Sequence, residues 1–327
     1  MTPNVHTAMA EDRPEKLTIR DLWADVYERW RIERPSEGSR SHPRFLTMPG
    51  ARAGDIRRLI DRGLVAVTEN GAIAPEELES IAAVEVDLSA YAALSNQFPG
   101  MKIIRGSVDS ALHSGSPTVW PPKKDQKLFR ADIVNLDLNE PLVAGFQSSQ
   151  LVFPLLKLVG KIALLHTQPS HADWTLCLTL HGEVLWDAKA RKAVCGFLAE
   201  NCRRAPAFKG AMTMLLGSEM ADAIVEKRAD DLQLDDVVAQ QTLLMVCVPK
   251  RILSDVHTQG WALSCRHNIR YGGVQQRAPM VSWIIDFTED ARGSSEPDEL
   301  YRECLAAVLD NAGHIDADGA LQSLSNP

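Results

Sequence analysis

Apolar residues recur at helical spacing through Ile19, Leu22, Trp23, Val26, Tyr27 and Trp30, and Thr18 with Asp21 opens that run in the Ser/Thr-x-x-acid pattern of a helix start. An N-terminal helix with its apolar face packed on the domain is expected, preceded by a polar stretch read as a loose tail. Past the basic connector "RIERPSEGSRSHPR" the pattern changes. Short runs that are apolar throughout alternate with amphipathic ones. "RFLTM" reads as a strand, and "GDIRRLIDRGL" as a helix with Ile56, Leu59, Ile60 and Leu64 on one side and Gly63 at its end. "SIAAVEVD" reads as a second strand, and "LSAYAALSNQFPG" as a helix stopped by Pro99 and Gly100. "MKIIRGS" and "RADIVNLDL" follow as a third and fourth strand. Apolar strands separated by helices predict a parallel sheet covered on both faces.

The second half continues the alternation with a long interruption. "QLVFPLLKLVGKIALLH" reads as a helix kinked at Pro154, and "DWTLCLTLHGEV" as a fifth strand. Asp187 to Thr258 is helical in pattern almost throughout. "GWALSCRHNIRY" and "PMVSWIIDF" are the last two strands, joined by "GGVQQRA", too short for a crossover, so the pair must be antiparallel. The expected fold is α/β: a Rossmann-like, mainly parallel seven-stranded sheet with helices on both faces, a terminal antiparallel strand pair and a helical insertion. The expected domains are 1–43, an N-terminal tail and helix; 44–290, the α/β domain with its insertion at 187–258; and 291–327, a C-terminal helix and tail.

Composition narrows the chemistry. With 327 residues, 45% hydrophobic and 24% charged, the chain suits one large α/β domain with additions. A net charge of −8 argues against broad coating of nucleic acid. "VWPPKKDQKLFR" interleaves Lys123, Lys124, Lys127 and Arg130 with Trp120 and Phe129, which is compatible with a nucleic-acid contact but reads better as a solvated loop. The longest apolar run, Leu151 to Leu165, is broken by Pro154, Lys157, Gly160 and Lys161, so no membrane span is expected. Six scattered cysteines without a CxxC pair, and no secretory leader at the N-terminus, read as reduced thiols of a cytoplasmic protein. His166, His171 and His181 match no metal spacing, and no metal site is expected. GxSxG, HExxH and P-loop motifs are absent.

The element order from Arg44 to Phe287 and the strand ends "TMPG", "VEVD", "RGSVD" and "NLDLNEP" resemble the class I methyltransferases that use S-adenosylmethionine. That resemblance implies a cofactor around the carboxyl ends of the first four strands, where open α/β sheets bind ligands. It gives Glu85 the ribose hydroxyls, with Asp87 nearby as a competitor or a helix cap. Ser107, Val108 and Asp109 would frame the adenine, or cap another helix. Pro49 and Gly50 would lie at the methionine moiety. Asp137 and Asn139 would face the methyl acceptor as the candidate catalytic residues.

The sequence departs from the family in two places. The first loop, "TMPGARAGD", has Gly50 and Gly54 where the family has an acid followed by GxGxG, and Pro49 removes an amide donor. "NLDLNEP" lacks the second proline and the aromatic of base-amino methyltransferases, so base N-methylation is not supported. Two functions remain open. One is an S-adenosylmethionine-dependent methyltransferase whose acceptor the sequence does not specify. The other is a catalytically silent methyltransferase-like module that binds a protein partner through residues 187–258. A Rossmann domain for another nucleotide is disfavoured because GxGxxG is absent.

Overall fold

In the computed structural model of the chain, the residues described are 13–33, 42–106, 126–141, 145–147, 150–152, 156–167, 172–183, 186–273, 278–290 and 297–324. The first helix, α1 (Pro14–Glu33), buries Ile19, Trp23, Val26, Tyr27 and Trp30, the stripe expected from the sequence. It begins four residues earlier than Thr18, so Glu15, expected as the end of a loose tail at 1–15, is helical and buried, as is Lys16. Then come β1 (Phe45–Thr47), α2 (Gly54–Asp61), β2 (Ile81–Glu85), α3 (Leu88–Gln97), β3 (Lys102–Arg105), the short α4 (Gln126–Phe129) and β4 (Ile133–Pro141). Next are β5 (Gly145–Gln147), β6 (Gln150–Val152), α5 (Leu156–His166), β7 (Trp174–His181), α6 (Ala188–Arg204), α7 (Pro206–Leu216), α8 (Ser218–Val225) and α9 (Val237–Val256). The chain ends with β8 (Trp261–Tyr271), β9 (Met280–Glu289), α10 (Pro297–Ala307), β10 (Ala312–Ile315) and β11 (Leu321–Ser323). Local signals explain several helix starts: Asp87, Asp187 and Asp236 each accept a hydrogen bond from the backbone amide three residues on.

Nine strands form one sheet in the order β11-β10-β8-β9-β7-β4-β1-β2-β3, and β5 and β6 form a separate antiparallel pair. β1 pairs parallel with both β2 and β4, β2 with β3, and β8 antiparallel with β9. The mainly parallel sheet and the antiparallel hairpin agree with the sequence reading; the count of seven strands does not. The segment after α10 is not a tail but adds β10, parallel to β8, and β11, antiparallel to β10. Neither carries a strand pattern of its own: "AGHI" is four residues long and all of "LQS" is exposed, so pairing rather than side-chain burial makes β11 a strand. The expected helix through Gln150 is also corrected, because Gln150–Val152 is a strand and the helix begins only at Leu156.

The chain divides into two compact units, Met1–Asp137 with Trp174–Cys177, and Leu138–Asp173 with Leu178–Pro327. In the first, α1 is held to α2 by charge: Arg58 makes two bonds to the Asp21 carboxylate at 2.6 and 2.8 Å, and Arg62 reaches Asp25 at 2.6 Å and Glu28 at 2.8 Å. Tyr27 packs edge-on against Phe45 at 6.1 Å, and Trp30 donates to the Thr175 hydroxyl at 2.8 Å.

In the second unit, α9 buries ten consecutive residues, Gln241 to Lys250, as a helix enclosed on all sides does. Pro249 interrupts it without an amide for the Met245 carbonyl, and the buried Asn268 side chain of β8 donates to that carbonyl instead, at 3.0 Å.

Candidate functional site

β1 is only three residues long, whereas both of its neighbours run further. Thr47, its last residue, is level with Ala83 on β2, and the Leu46–Val134 pairing puts it level with Asn135 on β4. Glu85 and Asp137 therefore each stand two residues beyond the end of β1, one on either side of its loop. At the usual strand spacing they are about 10 Å apart across the sheet. The connections leave β1 toward β2 on one side and reach β4 on the other, so the loop lies at a topological switch point.

The β2 side offers unused bonding capacity. Glu85 is mostly buried; its Oε1 accepts the Asp87 amide at 2.8 Å, and its second oxygen accepts no bond from the described residues. Asp87 caps α3 through the Ala90 amide at 2.8 Å and also bonds Ser89, and these bonds hold its carboxyl below the usual range. Capping occupies only the Asp87 Oδ1, so what sets Glu85 apart is its burial at the strand end, whereas Asp87 is exposed. Val86 and Leu88 flank it with 62% and 58% of their surface exposed, unusual for aliphatic side chains at a strand end. Sequence reasoning missed both. Their signal was the apolar residue on either side of Asp87 in "EVDL".

The loop itself is ordered by side chains from α2 and α3. Gln97 donates to the Ala51 carbonyl at 3.0 Å and Arg57 to the Arg52 carbonyl at 2.9 Å. Gly50 is left-handed, with φ 60°, which suits glycine, and Ala53 adopts φ 51°, a conformation that costs a residue with a side chain about 1–2 kcal/mol. Among the described residues, the amides of Gly50 and Ala51 meet no acceptor. Pro49, which has no amide to offer, is buried beneath them.

The β4 side, by contrast, bonds its charged groups within the chain, although the buried Asn135 Oδ1 meets no donor among the described residues. Lys16 of α1 places its Nζ 2.6 Å from both oxygens of Asp137, with the two side chains only 9% and 13% exposed, and lies 4.9 Å from the Trp23 ring centre. Thr47 donates to the buried Asp55, and Asn135 donates to Thr47 at 3.2 Å and to Asp55 at 3.1 Å. Burial raises the Asp55 carboxyl above its ordinary value, against the lowering effect of the Thr47 bond, while Asp137 adds to the rise and Arg20 opposes it. Arg20 lies so close to Gly54 that a Cβ there would overlap its guanidinium, so a larger residue at this second loop glycine would require the Arg20 side chain to move. Lys16, Arg20, Asp55 and Asn135 were not singled out from the sequence.

Of the expected site residues, Pro49, Gly50, Glu85 and Asp137 lie around this loop. Ser107, Val108 and Asp109 fall outside the described residues, and so does the side chain of Asn139, although β4 continues through its backbone. No group of three or more metal-binding side chains occurs among the described residues. No described helix is long and apolar enough to cross a membrane.

No protein-family model matches the chain, and no curated protein matches it. Among solved structures, the crystal structure of a modification subunit assigned to a type I restriction enzyme from Vibrio vulnificus YJ016 overlaps 85% of this chain at 10% identity and a TM-score of 0.34, too loose an overlap to establish a shared fold. The chain spans half of that subunit's length.

Proposed function

We propose that the crevice at the end of β1 binds S-adenosylmethionine and that the protein is a methyltransferase-like protein whose acceptor is not encoded in these residues. The observation that carries this reading is Glu85: a carboxylate with one oxygen fixed by the Asp87 amide and the other uncommitted, on the strand beside a shortened β1. A ribose diol presents two hydroxyl donors, and a carboxylate set in this way can accept from them. The amides of Gly50 and Ala51 would meet the carboxylate of the methionine portion, and Val86 would cover an apolar face of the nucleoside. The cofactor supplies a sulfonium methyl group. Everything on the β2 side is a matter of binding and orientation.

The β4 side favours a second reading, a cofactor-binding module without methyl transfer. Asp137 is ion-paired through both oxygens, so a proton from an acceptor would compete there with the Lys16 ammonium. Calorimetric titration with S-adenosylmethionine and S-adenosylhomocysteine tests both readings. Saturable one-site binding that falls at least tenfold in Glu85→Ala is expected. No binding to the wild-type chain, or equal affinities of wild type and variant, sinks the cofactor assignment. Binding without turnover across a panel of protein, small-molecule and nucleic-acid acceptors leaves the module reading standing.

A further inference from the structure

The second unit holds a cavity of ≈ 690 Å³ between α6, α9 and α10 that plays no part in the proposed cofactor site. Its lining is cationic: Lys189, Lys192, Arg204, Lys250 and Arg251 against one acid, Glu200. Two of these charges are already matched, Arg251 by Asp255 at 2.6 Å and Arg204 by Glu200 at 3.0 Å. Lys250 is different. It is 3% exposed, yet it makes no hydrogen bond or ion pair with any described residue. Its Nζ lies 3.2 Å from the ring centre of Phe197 and 5.4 Å from that of Tyr301, while the Tyr301 hydroxyl is spent on Asn201 at 2.8 Å. An ammonium carries three donors, and burying it with aromatic faces alone is costly unless an anion completes it. Burial, with Arg251 and Arg204 nearby, lowers this amine to about 6, a cost that a bound anion would relieve.

We propose that this cavity is a binding site for a small phosphorylated compound, with the Lys250 ammonium in direct contact with its phosphoryl group. Beyond the two paired arginines the lining carries three lysines and no further acid, which fits a multiply charged phosphate better than a monocarboxylate, and the volume is that of a small-molecule site. Gly196 opens the wall on α6: a Cβ built there meets no atom within 4 Å, so a larger side chain at this position projects into free space.

The full chain should be titrated calorimetrically with glycerol 3-phosphate, inorganic phosphate and acetate. Saturable one-site binding of glycerol 3-phosphate is expected, weakened at least tenfold both in Lys250→Met and in Gly196→Leu, with acetate failing to bind. Preference for glycerol 3-phosphate over inorganic phosphate identifies an organic phosphate, whereas equal Lys250-dependent binding of the two identifies the free ion and overturns the organic ligand. Gly196→Leu adds bulk on a helix face with no neighbour, so it keeps the test decisive even if Lys250→Met does not fold. Absence of saturable binding, affinities within twofold of wild type in both variants, or equal binding of acetate overturns the proposal.

Discussion

Removing the Lys16 ammonium should destabilise the protein far more than an ordinary surface charge would. With Nζ 2.6 Å from both carboxylate oxygens of Asp137, the Coulomb attraction at an effective dielectric of about 20 is about 6 kcal/mol before the desolvation of both groups is subtracted. That desolvation is large because the side chains are only 9% and 13% exposed. The net worth of the intact pair is therefore small, but breaking it leaves a bare carboxylate at the end of β4, and such losses run to about 3–5 kcal/mol. Lys16→Met keeps the aliphatic length that lies near Trp23, so packing changes little. Equilibrium urea unfolding should show Lys16→Met and Asp137→Asn each losing stability on that scale, and the double variant losing clearly less than the sum. A Lys16→Met loss below about 1 kcal/mol, or additive losses in the double variant, would show that the pair is solvated and that α1 does not close this side of the crevice.

Asp55 gives a pH signature. Its carboxyl is raised above 3.8 in the folded chain, so the folded state binds more protons than the unfolded one above that pH, and stability is lost as pH rises from about 3.8 toward the raised value. Asp55→Asn should therefore gain stability relative to wild type across that rise; a difference independent of pH in urea midpoints refutes it. Lys250 has the opposite sign: lowered from 10.5 to about 6, it makes stability climb by about 1.4 kcal/mol per pH unit between those values, a slope that Lys250→Met should abolish. Asn268→Ala should cost about 1–3 kcal/mol by stranding the buried Met245 carbonyl next to Pro249, and thermal melts that match wild type would remove that role.

What the sequence made legible was local. The apolar runs of β1, β2 and β4, the capping acid Asp87 and the short β8–β9 connection are each settled by neighbouring residues, and each agrees with the fold. What it hid was long-range. Lys16 lay in the polar stretch just before the first apolar repeat, and its meaning comes from a partner 121 residues away. Asn135 was visible as a polar residue in the apolar run "IVNLD", yet only its register beside Thr47 shows that it closes a buried cluster with Asp55. Lys250 follows eight buried residues and a proline in α9, where a charge reads as a solvated face until α6 and α10 enclose it. β10 and β11 escaped for the same reason, since β8 rather than their own side chains supplies the template.

The asymmetry about β1 limits what chemistry the crevice can support. Glu85 and the loop amides have unspent bonding capacity, while Asp137, Asp55, Thr47 and the amide nitrogen of Asn135 are bound to groups of the chain itself. A general base must reach the proton it removes, directly or through one water, and at Asp137 that proton competes with the Lys16 ammonium for both oxygens. Methyl transfer here is therefore easiest to an acceptor that is already nucleophilic without a base, or to one whose binding draws Lys16 away from Asp137. The two routes separate in one comparison. An acceptor that needs no base is methylated at the same rate by wild type and Asp137→Asn, whereas displacement of Lys16 makes Lys16→Met faster than wild type and Asp137→Asn inert.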